Sequence, residues 1–278
     1  MIVLMQHTLP MSTDTDPDRL DFEKKDEQHL LSLRQISLTF GGLQALTDIS
    51  VGVSRGLWTA LIGPNGAGKT SLLNVICGLY VPQRGEVLLG ERRLDGLAVH
   101  QRAALGLART FQAVQLVLEM NVLDNLLLGL HCRGRVGMLG HLVRSPGSRR
   151  EEGLVREKGM EVLQRYSLDD VWNSPVGELS LWQRKLLELA RSVVGDPRLL
   201  LLDEPMGGLT MSEREAMAEL LHDLRSRGLS MIMVEHDMDM VMTHTDHVLV
   251  LHHGRLLAQG SPQEIQANPE VITAYLGE

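Results

Sequence analysis

Apolar and polar positions change period several times along this chain, and each change predicts an element. "LSLRQISLTF", from Leu31, alternates well enough for a half-exposed strand, and Gly41–Gly42 make a turn after it. "LTDISVGV" predicts a second strand, "WTALIG" a short buried one, and "GEVLLG" another after a turn containing proline and glycine. Between the last two, "KTSLLNVICGL" has helical spacing, with Leu72, Leu73, Ile76 and Leu79 expected on one face.

Strand signals fade between about residues 113 and 175. "NVLDNLLLGLH" and "REKGMEVLQRY" are helical patterns, separated by the Gly/Arg-rich stretch "RGRVGMLGHLVRSPGSRRE", which suits a docking surface or a solvated loop equally. "RKLLELARSVV" keeps the helical period, with Leu186, Leu187, Ala190, Val193 and Val194 expected to face inward. The segment from about 113 to 190 is therefore expected to be a helical subdomain inserted into an α/β core. The alternation then resumes. "LLLL" at 199–202 is apolar throughout, as central parallel strands are. A helix over about 212–227, the strand "SMIMV", the hairpin-like "HVLVLHHGRLLAQG" and two short helices in "SPQEIQANPEVITAYLG" complete the pattern.

Composition narrows the setting. The polar, charge-dense run "MSTDTDPDRLDFEKKDEQH" cannot bury enough apolar surface to order itself, so residues 1–29 are expected to be a disordered leader to a core over 30–278. The apolar start, "MIVLMQHTLP", lacks the basic flank and small-residue cleavage site of a signal peptide. No run approaches the ~20 apolar residues that span a bilayer, so a membrane role would come through a partner. A formal charge of −8 argues against a nucleic-acid partner. Two cysteines, Cys77 and Cys132, lack the spacing of a disulfide framework or a zinc site.

Candidate chemistry begins with "GPNGAGKT": Gly63, Pro64, Asn65, Gly66, Ala67, Gly68, Lys69 and Thr70, with Ser71 next. The spacing GxxxxGK[ST] between a short apolar strand and an amphipathic helix is that of a P-loop. Its glycines let backbone N–H groups curl around phosphate oxygens, and the helix N-terminus adds positive potential. Lys69 would reach the β- and γ-phosphates of a nucleotide, and the Thr70 hydroxyl would take Mg²⁺. This loop alone does not separate kinases, GTPases and motor ATPases. "LLLLDEP" narrows the choice. Asp203 and Glu204 follow a buried strand at the sheet edge where open α/β folds place ligands. Asp203 suits Mg²⁺ held through water, and Glu204 suits polarisation of a water attacking the γ-phosphate. "SMIMV" ends in "EHD", which brings His236 to the same edge as a polar sensor. Gln112 in "RTFQ" suits Mg²⁺ or the attacking water, and Phe40 before its Gly-Gly turn suits stacking on a purine.

Taken in order, "GPNGAGKT", "RTFQ", "LSLWQ", "LLLLDEP", "GGLT" and "EHD" resemble the motifs of ABC-type ATPases, from about residue 31 to the end. "FGGLQAL", the long insert and "ANPEVITAYLG" resemble the ATPase subunit of high-affinity branched-chain amino-acid importers. The resemblance implies an ABC-type P-loop fold with an antiparallel β subdomain and a helical insert. It also implies an ATPase that powers uptake of branched-chain amino acids or a related small polar nutrient. Export ATPases and non-transport ABC ATPases are the alternatives. The implied location is peripheral, on the cytoplasmic face of the membrane. Implied partners are integral permease subunits, a second ABC ATPase chain, identical or different, and indirectly an extracytoplasmic binding protein. Each ATP would lie between one chain's P-loop and its partner's signature motif, here Leu179 to Gln183. Phe40 then matches the adenine-stacking position, Gln112 the Q-loop, Gly207–Thr210 the D-loop and His236 the switch histidine.

Two positions depart from the family pattern. Trp182 stands where the signature, LSGGQ or a variant such as LSYGQ, carries glycine, and Thr210 stands where Asp or Asn is common. Ser180 and Gln183 still spell a capping box. The indole is expected to crowd the approach to the partner's γ-phosphate, and any positive φ there would be costly. The site completed by this signature is then the weak one, with the chain's own P-loop intact; the alternative is that the indole swings outward and closure is normal.

Overall fold

The computed structural model describes residues 29–110, 115–131 and 146–276. Their strands form two sheets. The first is antiparallel, in the order β2-β1-β4-β5, from β1 (His29–Phe40), β2 (Leu43–Ser54), β4 (Arg84–Leu89) and β5 (Arg92–Arg93). The second has the order β10-β9-β3-β8-β7-β6, from β3 (Trp58–Ile62), β6 (Leu107–Arg109), β7 (Leu199–Asp203), β8 (Ser230–Val234), β9 (His247–His252) and β10 (Arg255–Gly260). It is parallel from β9 to β6, with β10 antiparallel at the edge.

Every residue of β3, β7 and β8 is buried, the reason these strands read as continuous apolar runs. Strand alternation divides their side chains between two cores. Ala60, Ile62, Leu200, Leu202, Met231 and Met233 face one; Leu61, Leu199, Leu201, Ile232 and Val234 face the other. The second core also holds the inner face of the antiparallel sheet and the apolar face of α1 (Lys69–Cys77). The first takes α5 (Leu181–Val193), α6 (Met211–Ser226) and the helical insert.

Helix α1 ends at Gly78, whose φ of +87° closes it, so Leu79 lies beyond the helix and is 49% exposed rather than on its buried face. The short α2 (Val99–Ala104) and β6 follow. The insert contributes α3 (Val122–His131) and α4 (Pro146–Arg165); α3 packs on both α4 and α5. In α5 the inward face holds Leu186, Leu187, Ala190 and, at its end, Val194, while Val193 is only half-buried. The chain closes with α7 (Met238–His244), α8 (Pro262–Gln266) and α9 (Pro269–Leu276). Residues 1–28 lie outside the described residues; His29, at the edge of the expected leader, is the first residue of β1. The Gly/Arg-rich stretch over 132–145 is likewise outside them.

Candidate functional site

Strand β3 runs into the glycine-rich loop because neither of two turns tolerates a side chain. At Gly63, φ is +149° and a Cβ would lie 2.1 Å from the carbonyl oxygen of Leu251. At Gly68, the N-cap of α1, φ is +103° and a Cβ would meet the Ala45 carbonyl oxygen at 2.8 Å. No side chain caps α1 and no acidic residue occupies its first turn. Its leading N–H groups therefore point out with positive potential, a cradle suited to phosphate. Asn65 and Gly66 are exposed at the tip, while Ala67 is buried and its carbonyl accepts from Gly254 N–H at 3.0 Å. Lys69 folds back: Nζ donates to the carbonyls of Gly63 (2.7 Å) and Pro64 (3.0 Å). Burial lowers its pKa, against the pull of Glu204 and Asp203. Thr70 is exposed and Ser71 half-buried at the start of the helix.

The acidic pair lies two strands away, at the same edge. Asp203 ends β7 and pairs in register with Val234, the end of β8. Its Oδ2 accepts from Arg109 at 2.9 Å, both side chains being at most 6% exposed. Arg109 also reaches Asn74 Oδ1 in α1, so one guanidinium joins the phosphate-loop helix to the carboxylate. Glu204 follows with φ +51°, a turn that carries its side chain out of the strand line toward His236. His236 Nε2 lies 2.8 Å from Glu204 Oε1. The structure thus brings together Lys69, Asp203, Glu204 and His236 at the ends of β3, β7 and β8.

The other predicted positions sit around this centre. Phe40, 43% exposed at the end of β1, meets Tyr80 edge-on with ring centroids 5.0 Å apart. Its hairpin approaches the loop through Ala45, beside Gly68. Gln112 lies in 111–114, outside the described residues. Ser180 is the N-cap of α5: its Oγ accepts from Gln183 N–H at 3.2 Å, and Gln183 Oε1 accepts from Ser180 N–H at 3.0 Å. Trp182 is the second residue of that helix and is absent from the positive-φ residues, so the backbone cost expected for it does not arise. Its half-buried indole packs on the core beneath. Thr210 caps α6, with its hydroxyl 2.8 Å from Glu213 Oε2.

Three contributors were not singled out from sequence. Arg109 sits in the quoted "RTFQ" and Glu235 in "EHD", but neither motif reveals an ion pair or a buried carboxylate. Lys185 reads as an ordinary helix residue. As for metal, no group of three or more His, Cys, Asp or Glu among the described residues gathers as a ligand cage. A threonine hydroxyl and one carboxylate are hard oxygen donors that fit Mg²⁺ completed by substrate phosphates and water.

Comparison with known proteins gives two family matches. Residues 46–207 match the ABC transporter family, and residues 255–278 match the branched-chain amino acid ATP-binding cassette transporter family. The high-affinity branched-chain amino acid transport ATP-binding protein LivG of Escherichia coli K12 is 38% identical over 252 residues, 90% of this chain and 99% of LivG. BraF of Pseudomonas aeruginosa, of the same description, is 38% identical over 250 residues, 90% and 98% of the two chains. Among solved structures, a nucleotide-free ATP-binding cassette of an ABC transporter superposes with a TM-score of 0.78 at 31% identity, covering 90% of this chain and all of that one. An ADP conformation of such a cassette gives 0.78 at the same identity, covering 90% and 99%.

Proposed function

The chain belongs to the ABC transporter family, and from that premise we propose that it is the ATP-hydrolysing subunit of an importer for branched-chain amino acids or a related small polar nutrient. One observation carries the catalytic part. An uncapped, glycine-built helix N-terminus with a parked lysine faces a carboxylate–histidine pair across the ends of neighbouring parallel strands.

The roles follow from that layout. The loop from Gly63 to Ser71 binds the triphosphate, with Lys69 turning from its carbonyl partners to the β- and γ-phosphates. Phe40 stacks on the base. Glu204 takes the proton of the attacking water, and His236, already against Oε1, orients that carboxylate. Mg²⁺, when bound, neutralises charge on the phosphate oxygens. Thr70 and Asp203 would hold it, with Gln112 completing the set. Arg109 keeps the Asp203 carboxylate aimed at that edge.

The partners in this reading are two permease subunits, a second ATPase chain arranged head-to-tail, and a binding protein outside the membrane. Among the described residues no helix is long and apolar enough to cross a bilayer, which suits a peripheral subunit on the cytoplasmic face. An open groove of about 290 Å³ between α1, α2, β6 and the helical insert suits the permease contact. Leu79 and Val99, 49% and 42% exposed, lie on its rim.

Glu204→Gln tests the assignment, since it removes the base and keeps the shape. ATP turnover should fall about 10²–10⁴-fold, with nucleotide binding by calorimetry retained. Turnover within threefold of the unaltered chain refutes Glu204 as the base.

A further inference from the structure

Lys185 stands in the second turn of α5, the helix that opens with Ser180, yet it serves a different part of the molecule. Only 9% exposed, it donates from Nζ to the carbonyls of Glu204 (3.2 Å) and Pro205 (2.9 Å). Those carbonyls belong to the turn after β7. Glu204 is held there in left-handed backbone, which costs a non-glycine residue about 1–3 kcal/mol and persists only where its surroundings fix it. The Glu204 carbonyl also accepts from Gly207 N–H at 3.2 Å.

Glu235 fixes the same turn from the opposite side. It is 6% exposed; Oε1 accepts from Met206 N–H at 2.9 Å and Oε2 from His236 N–H at 3.2 Å. One carboxylate therefore ties the turn behind Glu204 to the backbone of His236. Burial lowers the Lys185 pKa, against the pull of Glu188, Glu235 and Glu204, and raises that of Glu235, against the hydrogen bonds from Met206 and His236 and, more weakly, Lys185. Both groups are desolvated, an expense that helix packing alone does not require.

We infer that Lys185 and Glu235 are positioning residues that lock the turn over 203–207 and the chain after β8, so that Glu204 and His236 keep their contact. This rests on the hydrolytic role proposed for Glu204 and His236. In a head-to-tail pair, the helix whose first turn addresses the partner's nucleotide then also holds the hydrolytic residues of its own chain. Movement of α5 at one nucleotide reaches the other through two hydrogen bonds.

The test compares the full-length chain with Lys185→Met, Glu235→Gln and the double variant, measuring ATP turnover, KM and equilibrium nucleotide binding. Lys185→Met should lower kcat about tenfold or more while KM stays within threefold, as expected when a reacting group is misplaced and not lost. Glu235→Gln keeps the side chain's shape and can accept from only one of the two N–H groups, so it should lower kcat in the same sense. It serves alone if Lys185→Met does not fold. The double variant should lose at least as much as either single variant, because the turn then keeps neither the Lys185 bonds nor both bonds to Glu235. A kcat within twofold of the unaltered chain in either folded single variant, or a parallel loss of nucleotide binding, overturns the inference. Absence of turnover in the unaltered chain instead overturns the proposed function.

Discussion

At the residue scale the most consequential contact is the ion pair between Arg109 and Asp203. Both side chains are shielded from water, and the guanidinium also bonds Asn74 Oδ1 and lies 3.1 Å from Cys77 Sγ. Removing one member of such a pair leaves the other charge desolvated without compensation, at a cost of about 3–5 kcal/mol. Arg109→Met should lower the unfolding free energy by that order in urea titration, and Asp203 would lose the group that aims it. A loss below about 1 kcal/mol would mean that water reaches Asp203 when Arg109 is gone. Lys69 contrasts with Arg109. It is buried on backbone carbonyls, neutral partners that a phosphate can replace, so the lysine is held for exchange and the arginine for permanence.

At the element scale, α5 shows how far local signals reach. The S-x-x-Q spacing predicted its start at Ser180, and the reciprocal hydrogen bonds of the capping box are present. Trp182 was expected to leave that helix start intact while crowding the approach to a nucleotide; its backbone is helical, with no positive φ, and its indole packs inward. Trp182→Gly therefore removes packing and puts glycine into the first turn. It should cost about 2 kcal/mol in unfolding free energy. Turnover should stay within twofold; a rise beyond fivefold would mean that the indole restricts closure on a nucleotide. The strands β3, β7 and β8 were legible because burial on both faces leaves them apolar apart from Thr59, Asp203 and Ser230. The phosphate loop was legible because strand, glycines and helix occur in sequence. Strand β6, three residues long, and helix α2 carry too few residues to show a period. Lys185 and Glu235 were not legible, because their partners are backbone carbonyls and amides, all but the His236 N–H 19 to 29 residues away, and backbone groups leave no mark in composition.

At the scale of the whole molecule, the helical insert meets the sheet core through one continuous apolar cluster, and Tyr166 sits in it. The ring follows the last turn of α4 and is 3% exposed. Burial pushes its phenol up to about 12, with smaller opposing contributions from Arg165 and Arg227 and a reinforcing one from Asp223. The sign of the effect on stability is fixed by which state holds the proton. In the unfolded chain the phenol ionises near 10, whereas the folded chain keeps it protonated to about 12. Between those values the folded state binds more protons, so stability is complete below about pH 10 and is lost progressively as the pH rises toward 12. A two-unit shift corresponds to about 2–3 kcal/mol of lost stability by the upper end of that window. Tyr275 is shifted in the same direction by burial, but at 39% exposure solvent screens most of its contribution. Tyr166→Phe removes the titration while keeping the ring. Denaturant unfolding from pH 9 to 12 should therefore fall less steeply for the variant than for the unaltered chain, by up to about 2–3 kcal/mol at the alkaline end. Parallel curves would mean that the insert has opened around Tyr166 before its phenol titrates, leaving the sheet core to set the alkaline limit alone.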